Sequence, residues 1–120
     1  MRPKTAQLLW DIQDSAQFIF LQTEGLSFEA FEDSRTLRRV VERELEILGE
    51  AARRIRDHDP DVAARLPGLH EAIGVRNVIA HEYHDIQYDR IWVAIRGPLH
   101  RLEQEASRML NELGPPVNSG

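Results

Sequence analysis

Apolar residues recur every three or four positions along almost the whole chain, and this spacing constrains the fold more than any other feature. An α-helix turns once every 3.6 residues, so the spacing collects apolar side chains into a stripe that must be buried against a neighbour. Residues 5–23 put Leu9, Ile12, Ala16, Ile19 and Phe20 on one stripe, which stops at Gly25. SFEAFED follows as a short turn of helix capped by Ser27. Ser34 then caps a long helix carrying Leu37, Val41, Leu45, Leu48, Ala52 and Ile55, which ends over residues 57–60. Residues 60–67 read as one helical turn between prolines, and residues 68–82 as a third main helix through Leu69, Ile73 and Ala80. From Tyr88 a heptad-like seam runs through Trp92, Ile95, Leu99, Leu102, Ala106, Met109 and Leu113. Gly97-Pro98 interrupts that last helix, and a kink is expected because proline removes a backbone donor.

No strand alternation, internal repeat or interdomain linker is visible. The pattern predicts an all-α helical bundle of four main helices plus short helical turns. One domain is expected over residues 1–113, with a flexible C-terminal tail over 114–120. At 120 residues and 42% hydrophobic content, the chain has material for a modest core. It has no cysteine, which removes disulfides and thiolate metal sites from consideration. No apolar run approaches the roughly 18 residues of a membrane span. The start, MRPKTAQLLWDIQD, places Trp10 and Asp11 where a signal peptide needs an apolar centre. The expectation is a cytoplasmic protein without membrane association.

A net charge of −5 argues against a protein that coats nucleic acid nonspecifically, because that affinity comes from neutralising phosphates. The cations are 14 arginines and one lysine, and many arginines fall between Arg35 and Arg76. Their simplest reading is pairing with Glu42, Glu44, Glu46 and Glu50 along a solvated helix. A local phosphate-binding face is the other, since guanidinium forks suit phosphate.

The end of the third main helix carries an unusual concentration of chemistry. RNVIAHEYHD, residues 76–85, holds Arg76, Asn77, His81, Tyr83, His84 and Asp85. At about 100° per residue, His81 shares a face with Asn77 and Gly74, whereas Arg76 lies about 140° away on the stripe of Leu69 and Ile73. Asn77 is placed to hydrogen-bond an imidazole nitrogen and set its tautomer. Gly74 costs the helix about 1 kcal/mol relative to alanine, and leaves room for a ligand or another backbone.

Imidazole and guanidinium together suit metal-independent RNA cleavage. Imidazole can take the 2′-hydroxyl proton or protonate the leaving oxygen, and guanidinium can stabilise the charge developing on phosphate. One chain supplies one motif histidine, so a two-fold dimer pairing this helix with its mate would provide both acid and base. The plain alternative is structural, with His81 near the helix C-terminus and Arg76 paired to a carboxylate. A metal site is disfavoured: HEYH is not HExxH, no third ligand is evident beside His84 and Asp85, and His58, His70 and His100 are isolated. No metal or other cofactor is expected. Trp10, Phe18, Phe20 and Trp92 are assigned to core or interface, and Tyr88 to packing at the start of the last helix. Gln87 stands where a stronger N-cap would be expected.

"RNVIAHEY" resembles the motif of the HepT-like branch of the HEPN superfamily, in which Arg and a polar residue precede His-x-Tyr. Arg76, Asn77, His81 and Tyr83 match it, and "LEILGEAARRI", "GLHEAIGVRN" and Ile91-Trp92 extend the likeness over nearly the whole chain. The resemblance implies a HEPN bundle that forms a homodimer around the motif helix. It also implies a toxin ribonuclease needing no metal, with Arg76 and His81 catalytic and Asn77 supporting. The implied partner is an MntA-like minimal nucleotidyltransferase antitoxin, which would adenylylate Tyr83 and block RNA by charge and bulk. The rival expectation is a non-catalytic HEPN module that scaffolds such a partner or binds nucleotides.

Overall fold

The computed structural model describes residues 1–82 and 84–113. Among these the chain is helical, without strands: α1 Pro3–Thr23, α2 Phe28–Asp33, α3 Arg35–His58, α4 Pro60–Ala63, α5 Leu69–His81, α6 Tyr88–Arg96 and α7 Pro98–Glu112. Each boundary has a local cause. Ser27 and Ser34 accept the amides of Ala30 and Leu37, and so cap α2 and α3. Pro3, Pro60 and Pro98 open α1, α4 and α7, where a missing N–H has no helical partner to lose. Asp59 ends α3, accepts the Val62 amide, and takes a 2.7 Å hydrogen bond from the Thr5 hydroxyl of α1.

The long helix α3 is the centre of the bundle. It packs against α1 on one side and α5 on another, and α7 closes the bundle against α1 and α5. Val41, Leu45, Leu48, Ala52 and Ile55 of α3 are buried with Leu9, Ile12, Ala16 and Ile19 of α1. Leu69, Ala72, Ile73 and Ile79 of α5, Ile91 and Ile95 of α6, and Leu99, Leu102, Ala106 and Met109 of α7 complete the core. An aromatic clamp ties α2 and α6 to this frame. Phe31 stacks on Trp92 at 5.1 Å and meets Tyr88 edge-on at 6.1 Å. The Tyr88 hydroxyl in turn donates to Glu42 of α3 at 2.6 Å, so the chain leaving α5 returns to α3 at a defined point. Gln87 precedes α6 without a side-chain cap, and the Tyr88–Glu42 bond helps to anchor that end.

Three details differ from the periodic reading. The expected kink at Gly97-Pro98 is a full break between α6 and α7, with Gly97 at φ −128° and ψ −88°. Ala80 is exposed, because the neighbouring Ile79 takes the inward position near the end of α5. Leu113 is exposed beyond the last turn of α7, past Met109 where the core ends. Of the aromatic residues assigned to core or interface, Trp10 and Phe18 lie on the exposed face of α1 outside the core, since Leu9, Ile12, Ala16 and Ile19 occupy its inner stripe. The expected tail, 114–120, lies outside the described residues. No helix among the described residues is long and apolar enough to cross a membrane.

Gly68 sets where α5 begins. It adopts φ +84°, and a Cβ there would lie 2.4 Å from the Pro98 carbonyl oxygen at the start of α7. Gly68→Ala is therefore expected to destabilise the fold by more than about 1 kcal/mol, read as a lower urea midpoint with an unchanged slope.

Candidate functional site

The motif arginine owes its position to a glycine on another helix. A Cβ on Gly49 of α3 would lie 2.2 Å from the Arg76 Cβ and 3.1 Å from the Ala72 carbonyl oxygen. Only hydrogen at Gly49 lets α5 press this closely on α3, and Arg76 emerges from the seam half-buried. Its guanidinium Nη2 lies 3.7 Å from Glu50 Oε1, and its Nη1 donates to Asn77 Oδ1 at 3.3 Å. Arg76 opens into a cleft of about 360 Å³ between α1, α3 and α5, whose charged lining is Asp11, Arg43, Glu46, Glu50, Arg54 and Arg76.

Glu50 is the electrostatic hub of that cleft. Arg53 grips both of its oxygens, Nε to Oε1 at 3.0 Å and Nη2 to Oε2 at 2.8 Å, and Arg54 Nε donates to Oε2 at 3.2 Å. The Arg53 hydrogen bonds, helped by Arg54 and by the positive charges of Arg53 and Arg76, outweigh partial burial and hold the Glu50 carboxyl well below its ordinary range, at about 2.

His81 is the last residue of α5 and is exposed. It does not line the Arg76 cleft. Asn77, on the His81 face, bonds Arg76 in place of the imidazole contact expected from spacing. Arg76 and His81 thus point in different directions on one helix, as their angular separation requires. A second groove of about 290 Å³ lies between α5 and α6, lined by Gly74, Val75, Val78 and the exposed Val93 together with Glu71, Gln87 and Arg90; His81 and Asn77 do not line it. A Cβ on Gly74 would meet nothing within 4 Å, so this face is open to whatever approaches. Tyr83 lies outside the described residues. Among the described residues no group of three or more His, Asp or Glu is placed to hold a metal ion, His84 and Asp85 included.

Sequence reasoning placed Glu50 among carboxylates of a solvated face and gave it no part in the site. The available signal was Gly49-Glu50 inside a long helix, a costly glycine beside a glutamate that is followed at three and four residues by Arg53 and Arg54. The proximity of Gly49 to Arg76, 27 residues later, is a tertiary fact that periodicity does not encode.

A family model described as "Ribonuclease HepT-like" matches residues 9–109. The chain is 30% identical over 99 residues to "Putative RNase MJ1380" of Methanocaldococcus jannaschii, covering 81% of this chain and 88% of that protein. It is 30% identical over 101 residues to "Putative RNase TTE0752" of Caldanaerobacter subterraneus subsp. tengcongensis, covering 84% and 89%. A third relative, "Putative RNase MJ1216" of Methanocaldococcus jannaschii, is 25% identical over 114 residues, covering 92% of each chain. No solved structure matches the chain.

The Gly49 seam and the Glu50 hub give separate expectations. Gly49→Ala must push α5 away from α3 and is expected to lower the thermal midpoint. A carboxylate whose folded pKa is depressed stabilises the fold above its ordinary range, and that stabilisation is lost as pH falls towards the folded value. Wild type is therefore expected to exceed Glu50→Gln in urea midpoint at pH 6, and the difference is expected to shrink as pH falls through the ordinary carboxylate range and to vanish below about 2.

Proposed function

The chain belongs to the HepT-like ribonuclease family, and on that premise we propose that it is a metal-independent endoribonuclease whose active site is completed by a second copy. The observation that carries this reading is the disposition of the two motif side chains. Arg76 is held half-buried at the mouth of an open cleft, and His81 is exposed a turn and a half further along the same helix. In the proposed reaction the ribose 2′-oxygen attacks the adjacent phosphorus while one imidazole takes its proton. The P–O5′ bond breaks, and the leaving oxygen receives a proton from the second imidazole. Guanidinium groups neutralise charge on the phosphoryl oxygens during the exchange. The cycle needs a base and an acid at once, and the motif provides one histidine per chain. The partner's motif helix would supply the other. The open space at Gly74, two turns before His81 on the same face of α5, supports an approach by a second copy there. Asn77 would serve this site by orienting Arg76, to which it is hydrogen-bonded.

The proposal extends to regulation. The enzyme would be the toxin of a cytoplasmic toxin-antitoxin pair, silenced by an MntA-like minimal nucleotidyltransferase. The Tyr83 hydroxyl would attack the α-phosphorus of ATP and displace pyrophosphate, leaving an adenylyl phosphodiester on Tyr83. Placed two residues from His81, that anion would repel RNA and fill the approach to the imidazole. A second reading has one observation in its favour. The Arg76 guanidinium faces Glu50 in a chain of net charge −5, which suits a non-catalytic module that scaffolds the nucleotidyltransferase.

Incubation of purified protein with RNA in excess chelator separates these readings. Wild type is expected to cleave, and Arg76→Ala and His81→Ala are each expected to lose roughly 100-fold or more in rate. Equal cleavage by wild type and His81→Ala would reject the mechanism. With the antitoxin and ATP, wild type is expected to gain adenylyl mass and lose activity, whereas Tyr83→Phe keeps cleaving. Covalent silencing of Tyr83→Phe would place the switch on another residue.

A further inference from the structure

We infer that Glu50 is a positioning residue for Arg76: its carboxylate, fixed on α3, orients the guanidinium that meets the scissile phosphate. The inference rests on the nuclease reading of Arg76 and deepens it by adding a group from outside the motif helix.

The geometry restrains the guanidinium from three sides. Contact with Gly49 fixes where the Arg76 side chain leaves the α3–α5 seam. Glu50 Oε1 lies 3.7 Å from Nη2, and Asn77 Oδ1 accepts from Nη1 at 3.3 Å, so separate nitrogens face separate acceptors. An arginine has four side-chain torsions to restrain, and a guanidinium held only by Asn77 would keep much of that freedom. Glu50 is itself immobilised by the two-point grip of Arg53 and the added bond from Arg54. The restraint on Arg76 is therefore anchored in α3 and does not depend on a loosely held surface carboxylate. Asp11 and Glu46 line the same cleft, yet Glu50 is the carboxylate within ion-pair distance of Arg76 among the described residues.

Glu50 is poorly suited to act as the base itself. A carboxylate gripped by two arginines and facing a third has little affinity for a proton, and so would compete weakly with imidazole for that of the 2′-hydroxyl. Its charge also opposes phosphate binding in the cleft. Orientation and binding are thus predicted to move in opposite senses when the charge is removed. Loss of orientation lowers the rate of the chemical step, and loss of a negative charge favours the ground-state RNA complex.

The test compares wild type, Glu50→Gln, Glu50→Ala and Arg76→Ala on one RNA in chelator, with kcat and KM each expressed per folded molecule. Both Glu50 variants are expected to lose about 10- to 100-fold in kcat, with KM unchanged or lower. Wild-type kcat in both variants would overturn the inference, as would a loss that disappears once unfolded protein is discounted. A second readout does not require activity. Nuclear magnetic resonance of the Arg76 guanidinium nitrogens is expected to show slow rotation about Nε–Cζ in wild type and faster rotation in Glu50→Ala. Equal rotation in the two proteins would overturn the inference on its own. Failure of the nuclease reading is distinguishable: wild type, or Arg76→Ala, would then give the wrong activity whatever Glu50 does.

Discussion

The close approach of α5 to α3 at Gly49 is the constraint on which the rest of this structure depends. A side chain at that position would collide with the Arg76 Cβ and separate the two helices. Helices α3 and α5 pack together, and Leu48, Ala52 and Ile55 of the one and Leu69, Ala72 and Ile73 of the other are buried in the same core, so the contact belongs to the core as much as to the site. The same seam brings a cation from α5 to a carboxylate on α3. Stability and placement of the proposed chemistry therefore share one close contact, and a glycine that weakens an isolated helix stands where a Cβ would collide with α5.

Charge in the Arg76 cleft is balanced, not simply positive. Arg43, Arg54 and Arg76 line it with Asp11, Glu46 and Glu50, which fits a chain whose net charge is −5. Such a cleft attracts nucleic acid weakly at long range and would act on a phosphate only once that phosphate enters. Specificity for RNA would then rest on short-range geometry: an oriented guanidinium, an imidazole from across an interface, and a 2′-hydroxyl able to attack. An adenylyl group added near His81 would act within the same short range, where one further charge matters most.

Much of the fold could be read from the sequence because it is helical and local. Ser27, Ser34, Gly25 and the prolines mark helix ends, and the stripes from Leu9 to Ile19 and from Val41 to Ile55 are the buried ones. Periodicity was less informative where one stripe had competing solutions. Ile79 took the inward place assigned to Ala80, and Gly97 broke a seam whose apolar spacing continued across it. Trp10 and Phe18 show the limit of composition, since large aromatic residues outside the inner stripe of α1 remain at the surface. At the site, Arg76 and His81 were visible as a motif, and their divergence followed from helix geometry. Glu50 was not, because its role depends on which residue of α5 meets which residue of α3. Asn77 is placed by spacing to bond the His81 imidazole, whereas in the structure its Oδ1 accepts from Arg76.

The central claim is that one active site needs imidazoles from two copies of the chain. It is tested most directly by mixing wild type with His81→Ala in varying proportion, allowing subunits to exchange, and measuring RNA cleavage in chelator. If both histidines serve one site, activity falls with the square of the wild-type fraction, leaving about a quarter in an equal mixture. A linear fall, with about half the activity remaining in that mixture, would contradict the shared site.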